Sequence, residues 1–253
     1  MLKGEDIYVI ELNARASRSL PLISKATGVN FVSMAVDLML SIPVKFKEYY
    51  EPANFFVKIP VFPFIKFPEL DVFLSPEMKS TGEAMAAGTT MEMAMVKAME
   101  MYHKGRMNIG RLLVTVGDDD KETLLIFLRK YSASLKKIYA TPGTARFLSE
   151  NGIQCTMVYK LEDIRKPQID SAMLNGMIDA IINTPGRRNR HRKDGMKIRK
   201  LAMAKGIPLF TNIRLADAAF KSTLDSNPVQ YRELSFYYSS EPVDDIKVKR
   251  DAT

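Results

Sequence analysis

The sequence predicts an α/β fold with a five-stranded parallel sheet flanked by helices, preceded by a segment of mixed α and β character. After residue 110, five short apolar runs alternate with stretches of helical spacing, which is typical of a parallel sheet covered on both faces. Charge also divides the chain. Residues 1–106 carry 12 Lys and Arg against 12 Asp and Glu, whereas residues 107–253 carry 25 against 17. The net charge of +8 therefore belongs to the second half, which indicates a boundary near residues 105–108 and an anionic ligand.

The elements of the second half are predicted from their apolar runs and their periodicity. The predicted strands are 112–116, 138–140, 155–158, 180–182 and 208–211. The predicted helices are 121–132, 145–150, 168–175, 196–205 and 215–221. Strand and helix therefore alternate throughout this half.

The first half has a less regular pattern. A β-branched run predicts a strand at 7–12, and apolar spacing predicts helices at 20–25 and 32–40. Another strand is predicted at 55–61. The stretch 83–101 is rich in Ala and Met, which favours a core or linker helix, with a Met-rich partner surface as the alternative.

Composition excludes several classes of protein. The sequence has no run of about 18 apolar residues, which excludes a transmembrane helix, and its first residues lack the pattern of a secretory signal. A single cysteine, Cys155, excludes an internal disulfide framework and is typical of the reducing cytoplasm. We therefore expect a cytoplasmic protein without a membrane partner.

Polar groups follow every predicted strand of the second half, at the edge where open parallel sheets bind ligands. They are Thr115 and Lys121, Thr141 and Thr144, Lys160, Asn183 and Thr184, and Thr211 and Asn212. The turn TPGT at 141–144 can hold a phosphate, because Gly143 lets the backbone approach and the helix N-terminus supplies N–H donors. The alternative is that the two threonines only cap the helix.

The run GRRNRHRK at 186–193 is the most basic segment. It could be a solvated loop, or an arm that contacts nucleic-acid phosphates. No aromatic residues interleave with it, which argues against nucleic acid. We favour a loop that closes over, or steers, an anionic small molecule.

A second group of polar residues follows the first predicted strand. Glu11 and Asn13 are two residues apart and therefore point to the same side of a strand, where they can hold a divalent cation. Arg15 and Arg18 can bind a phosphate or carboxyphosphate group. The alternative is a salt-bridge cluster at a strand edge.

The motifs of the second half resemble the methylglyoxal synthase-like domain of carbamoyl-phosphate synthetase. They are a strand ending in Thr with a Lys six residues on, then ATxGTA, NGI and INTxxGRR. The resemblance implies a regulatory domain that binds UMP, IMP or N-acetylglutamate. It implies effector contacts from Thr115, Lys121, Thr141, Thr144, Lys160, Asn183 and Thr184. The usual NTPSGRR here lacks its Ser, after Pro185. Methylglyoxal synthase itself is not favoured, because its Gly-Gly-Asp is replaced by GRRNR.

The first half resembles the second ATP-grasp domain of the same family. EDIYVIELNARASRSLPLISKATG, VFPFIKFP and SPEMKSTGE match it in order, with Ala14 in place of the usual Pro. The resemblance implies that Glu11 and Asn13 are metal ligands and that Arg15 and Arg18 are catalytic contacts. Since only about ten residues precede the first of these, we expect an incomplete ATP-grasp domain at 1–105 and the regulatory domain at 106–253.

The resemblance implies the C-terminal part of a glutamine-hydrolysing carbamoyl-phosphate synthase large subunit, serving pyrimidine and arginine biosynthesis. Its partners would be the remainder of that subunit and the glutaminase small subunit. The complete enzyme would use ATP and Mg²⁺ or Mn²⁺. We expect no cofactor and no catalysis from this chain alone. The alternatives are a split subunit that completes an ATP-grasp enzyme in trans, and an inactive truncated remnant.

Overall fold

A computed structural model describes residues 2–46, 51–62, 79–103, 107–159, 164–184, 189–224 and 229–237. The strands are β1 (Leu2–Lys3), β2 (Asp6–Ile7), β3 (Phe55–Val61), β4 (Gly82–Gly88), β5 (Arg111–Thr115), β6 (Lys137–Ala140), β7 (Thr156–Met157), β8 (Ala180–Asn183) and β9 (Leu209–Phe210). The α-helices are α1 (Ser19–Thr27), α2 (Phe31–Met39), α3 (Met91–His103), α4 (Lys121–Tyr131), α5 (Pro142–Glu150), α6 (Ile169–Leu174), α7 (Asn189–Lys205) and α8 (Ile213–Leu224). Contacts divide the chain into two compact units, Met1–Phe56 with Arg232–Thr253, and Val57–Tyr231.

The second unit contains the predicted parallel sheet. Its five strands lie in the order β7-β6-β5-β8-β9, and every neighbouring pair is parallel. The predicted fold class is therefore confirmed, with strand bounds that differ from the predicted ones by at most one residue. The strands β5, β6 and β8 form because their continuous apolar runs are buried on both faces, as parallel strands require.

Alternate residues of the central strand face opposite layers of helices. Leu112 and Val114 belong to one hydrophobic core, which includes residues of α4, α5 and α8. Leu113 belongs to a second core, formed with residues of α6 and α7. Because a fully buried leucine contributes about 1.5–3 kcal/mol, the two cores together hold the sheet between its helices.

The amino ends of β5 and β8 are joined by an ion pair. Arg111 donates from Nε to Asp179 Oδ2 at 3.0 Å, and its Nη2 lies 2.5 Å from Oδ1. The backbone N–H of Arg111 also donates to Oδ2, at 2.8 Å. These hydrogen bonds lower the pKa of Asp179 below its ordinary value.

One predicted helix is in part a strand. Residues 82–88 form β4, which pairs with β3, and only Met91–His103 form the helix α3. Pairing overrides the helix propensity of Ala and Met here. The chain then turns so tightly that a Cβ on Gly88 would lie 2.5 Å from the backbone N of Ala94. The prediction of a core helix is confirmed for α3, since Ala98 and Met99 are buried.

The structure corrects the predicted first strand and the predicted basic loop, and it confirms two predicted helices. The predicted strand at 7–12 is too long, because only Ile7 lies in a strand and the described part of the chain pairs no strand with 8–12. The loop interpretation of the basic run is wrong for residues 189–193, which begin the helix α7. Residues 185–188 lie outside the described residues. The helices predicted at 20–25 and 32–40 are confirmed as α1 and α2.

Candidate anion-binding site

Several of the polar groups predicted at the strand ends meet where the strand order of the sheet reverses. From β5 the chain first builds β6 and β7 on one side and then crosses to β8 and β9 on the other. Thr115 ends β5 and is in register with Asn183, which ends β8. The backbone N–H of Thr184 donates to the carbonyl of Thr115 at 3.2 Å. Open α/β sheets bind ligands at such a switch point, beyond the carboxyl ends of the strands.

Three threonine hydroxyls form a cluster at this point. Thr141 Oγ1 lies 3.3 Å from Thr115 Oγ1 and 3.4 Å from Thr144 Oγ1. Both distances exceed the usual 2.7–2.8 Å of a hydroxyl–hydroxyl bond, and one proton serves only one bond at a time. Thr141 and Thr144 are both buried. The cluster is therefore loosely bonded internally and keeps donor capacity for a ligand.

The simple capping interpretation fails for Thr141. This residue occupies the N-cap position of α5, but its side chain makes no capping hydrogen bond. Its hydroxyl turns instead toward Thr115 and Thr144. Thr144 lies inside the first turn of α5, where it accepts from the backbone N–H of Val116 at 3.5 Å. The threonines of the TPGT turn therefore point into the site.

The loop that follows β5 is held to the end of β8. The backbone N–H of Gly117 donates to Thr184 Oγ1 at 3.1 Å. Because that bond uses an acceptor lone pair, the hydroxyl proton of Thr184 can donate to an anion. Among the residues that the structure describes, no atom would lie within 4 Å of a Cβ on Gly143, so the space beside the first turn of α5 is open. An anion can therefore approach the N–H groups of that turn.

Lys121 supplies positive charge at the start of α4. Its Nζ lies 2.8 Å from Asp118 Oδ1, and 5.6 Å from the centre of the Phe147 ring. The side chain of Lys121 is 23 % exposed, whereas that of Asp118 is 81 % exposed. An anion that binds Lys121 must therefore compete with a solvent-exposed carboxylate, which can turn away into water.

The sequence did not reveal a buried arginine beside this site. Arg199, in α7, is 2 % exposed, and its Nη1 donates to Asn183 Oδ1 at 2.7 Å. Gly195 lies one turn earlier on the same helix face, where a Cβ would be only 2.8 Å from that Nη1. In the sequence, this arrangement is visible only as a Gly and an Arg four residues apart, which share one face of a helix. Their partner, Asn183, is known only from the fold.

Two remaining strand-end positions have different outcomes. Lys160 lies outside the described residues, so its place in the site stays a prediction. Asn212 caps α8, because its Oδ1 accepts from the backbone N–H of Arg214 at 2.8 Å and of Leu215 at 3.3 Å. The amide oxygen of Asn212 therefore has a structural partner.

The candidate site of the first half is open to solvent. Asn13 Nδ2 donates to Glu11 Oε1 at 3.0 Å, so these two side chains do lie side by side. Arg15 donates to the carbonyl of Ala16 at 3.3 Å, and Arg18 precedes α1. Within the described ranges, no group of three or more His, Cys, Asp or Glu residues could hold a metal ion. Glu11 and Asn13 fit a divalent cation only as part of a ligand set, since such ions take six or more oxygen ligands.

Family models match both halves of the chain. Residues 2–46 match the ATP binding domain of the carbamoyl-phosphate synthase L chain. Residues 123–211 match the MGS-like domain. The MGS-like match contains β6, β7 and β8, and with them Thr141, Thr144, Asn183 and Thr184.

Two curated relatives align with nearly the whole chain. The carbamoyl phosphate synthase large chain of Thermoplasma volcanium is 46 % identical over 237 residues, which is 94 % of this chain. That of Thermoplasma acidophilum is 42 % identical over 236 residues, or 93 % of this chain. Over nearly its whole length, the chain is therefore similar to carbamoyl phosphate synthase large chains, with an MGS-like domain and a fragment of their ATP binding domain.

The chain spans only 22 % of the length of either of these large chains. Among solved structures, the crystal structure of methylglyoxal synthase from Elizabethkingia anophelis NUHP1 is similar with a TM-score of 0.36 and 16 % identity. That similarity covers 47 % of this chain and 79 % of the other. Within the described residues of the present chain, no helix combines the length and the hydrophobicity needed to span a bilayer.

Proposed function

We propose that residues 106–253 form a regulatory domain that binds a small anionic metabolite at the carboxyl edge of the parallel sheet. The observation that carries the proposal is the cluster of hydroxyls from Thr115, Thr141 and Thr144 beside the open turn at Gly143. Thr184 and Lys121 add a hydroxyl and a positive charge at the same edge. These groups donate hydrogen bonds, as the recognition of a phosphate or carboxylate requires.

The proposed metabolite is UMP, IMP or N-acetylglutamate. UMP and IMP present a phosphate, whereas N-acetylglutamate presents carboxylates, and both groups suit hydroxyl and lysine donors. In the whole protein, regulation would act on glutamine-hydrolysing, ATP-dependent synthesis of carbamoyl phosphate for pyrimidine and arginine biosynthesis. The partners would be the rest of the large chain and the glutaminase small subunit, with ATP and Mg²⁺ or Mn²⁺ bound there.

A contact between α3 and α8 supports coupling of this site to the residues before it. α8 begins shortly after β9, and its Phe220 belongs to the same hydrophobic core as Ala98 and Met99 of α3. Lys221 Nζ lies 2.5 Å from Glu92 Oε1 across the same pair of helices. A ligand-induced shift of α8 would therefore be felt by α3, which belongs to the predicted domain 1–105.

A second candidate function is completion of an ATP-grasp enzyme in trans. The favouring observation is a run of exposed large apolar side chains that includes Ile7, Val9, Ile10 and Leu12. Such a run is characteristic of a surface that binds another protein. In this case residues 1–56 would be protected from proteases only when the rest of a large chain is present. An inactive remnant would instead be cut rapidly before about residue 105 under all conditions.

Calorimetric titration of the chain with UMP, IMP and N-acetylglutamate tests the regulatory proposal. Thr141→Val removes one hydroxyl of the cluster at nearly constant shape, and Lys121→Ala removes the charge. Thr223→Val is the matched control, because its hydroxyl binds the carbonyl of Ala219 near the far end of α8. We expect one ligand to bind saturably, with loss in the first two variants and not in the control. No binding of any of the three ligands would refute the proposal.

A further inference from the structure

Arg199 carries a charge that is buried within the domain. Its side chain is 2 % exposed and lies on α7, between the apolar residues Ile198 and Ala202 that pack in the second core. Burying a guanidinium costs free energy that its partners only partly return, and an apolar residue of similar size is often as stable. A buried arginine beside a candidate anion site therefore suggests a role in that site.

The local backbone is shaped to admit this guanidinium. A Cβ on Gly195 would lie 2.8 Å from Arg199 Nη1 and 3.3 Å from Asn183 Oδ1. Real Cβ atoms essentially never approach other heavy atoms as closely as the first distance. A Cβ at residue 195 would therefore displace the guanidinium from its present position beside Asn183.

The contact determines which way the amide of Asn183 points. An arginine has only donors, so the carbonyl oxygen of Asn183 must face it, as the 2.7 Å distance from Nη1 to Oδ1 shows. The NH₂ group is then directed away from the guanidinium. Asn183 is in register with Thr115 and directly precedes Thr184, so its amide belongs to the edge that holds the hydroxyls.

We propose that Arg199 is a positioning residue of the anion site: it fixes the amide of Asn183 as a donor toward the ligand, and it adds positive potential from within the protein. This inference rests on the proposed function of the site. Because the guanidinium of Arg199 is shielded from water, its potential at the site is only weakly screened by salt.

The test is a double-mutant cycle on the full chain with Arg199→Gln, Asn183→Ala and the double variant. Dissociation constants for inorganic phosphate and for UMP are measured by calorimetry, with uridine as the uncharged counterpart of UMP. Unfolding temperatures of all variants are measured in parallel. We expect Arg199→Gln to weaken phosphate and UMP binding about tenfold, the typical effect of leaving a buried hydrogen-bond partner unsatisfied. The double variant should bind more weakly than Asn183→Ala alone, but by less than the sum of the two single effects, because Arg199 acts in part through that residue.

Two conservative variants keep the test decisive if Arg199→Gln does not fold. Arg199→Lys keeps the charge, so it should weaken the binding of UMP by less than about tenfold and leave the binding of uridine unchanged. Gly195→Ala keeps the guanidinium but displaces it, and should weaken UMP binding by several-fold. A direct reporter is the side-chain amide resonance of Asn183, which should shift when phosphate is added to the wild type and not to Arg199→Gln.

The outcomes separate this inference from the function on which it rests. If the wild type binds none of phosphate, UMP, IMP and N-acetylglutamate, the proposed function fails and the inference fails with it. If the wild type binds but Arg199→Gln only lowers the unfolding temperature and leaves both dissociation constants unchanged, Arg199 is purely structural. Fully additive effects in the double variant would also overturn a role through Asn183.

Discussion

Replacing Gly143 by alanine should separate folding stability from anion binding. Gly143 is the second residue of α5, and an added Cβ would meet no atom of the described residues within 4 Å. Alanine is favoured over glycine in helices by up to about 1 kcal/mol, partly because it restricts the unfolded chain. Since about 1 kcal/mol corresponds to roughly 2–4 °C for a chain of 150–250 residues, the unfolding temperature should rise by about 1–4 °C.

Binding should move in the opposite direction. The methyl group would occupy the open space through which an anion approaches the N–H groups of this turn. A phosphate oxygen must come within about 2.9 Å of a backbone nitrogen, and a methyl group at that approach keeps it farther away. Loss of one charge-assisted hydrogen bond corresponds to about tenfold weaker binding or more.

The assay is thermal unfolding followed by circular dichroism, combined with calorimetric titration of the same samples with UMP. The matched control is Gly82→Ala in β4, where the nearest atom to an added Cβ is Val61 Cβ at 3.8 Å. That control should bind like the wild type. A fall in the unfolding temperature of Gly143→Ala would refute the open space described here. A rise with unchanged affinity would show that the anion does not approach this turn.

Three further changes have defined outcomes. Asp118→Asn should raise the affinity for an anion by about twofold to fivefold. The reason is that Lys121 would be released from a surface ion pair, which is worth about 0.2–1 kcal/mol. Equal or weaker binding in calorimetry would contradict this expectation. Asp179→Asn should lower the free energy of unfolding at neutral pH by about 1–3 kcal/mol, since it breaks the charged pair with Arg111. Because the pKa of Asp179 is lowered on folding, the contribution of this pair to stability is complete above the ordinary carboxyl pKa and is lost as pH falls through the lowered value. Denaturant titrations in which the wild type stays more stable than Asp179→Asn in strong acid would contradict this expectation. Leu12→Asp should leave the unfolding temperature unchanged, because Leu12 is 91 % exposed, but should abolish any binding to the rest of a large chain, as measured by co-purification.

The sheet and most of its site could be predicted because the information is local. Strands buried on both faces, such as β5, have continuous apolar runs, and the residue after each run marks the carboxyl edge. Thr115, Thr141 and Asn183 can be identified in this way without knowledge of their contacts. The fold supplied the distances between them, which no single segment of sequence contains.

The errors arose where tertiary contacts override local preference. Ala84 and Ala87 favour a helix, yet pairing with β3 makes the segment a strand. Arg199 was overlooked because charged residues of a helix are usually exposed, and only the packing of α7 brings it to Asn183, 16 residues earlier. Long-range partners of this kind are set by the arrangement of β8 and α7, not by spacing along the chain.

The packing of α3 and β4 has a consequence for exchanging regulation between enzymes. The MGS-like match begins at residue 123, whereas the compact unit that contains the sheet begins at Val57. A chimera joined at the family boundary would remove Ala98 and Met99 from Phe220 and leave an apolar helix face uncovered. Transfer of the proposed regulatory domain into another large chain should therefore carry residues 55–231 as one piece, so that the junction falls before β3 and leaves its pairing with β4 intact.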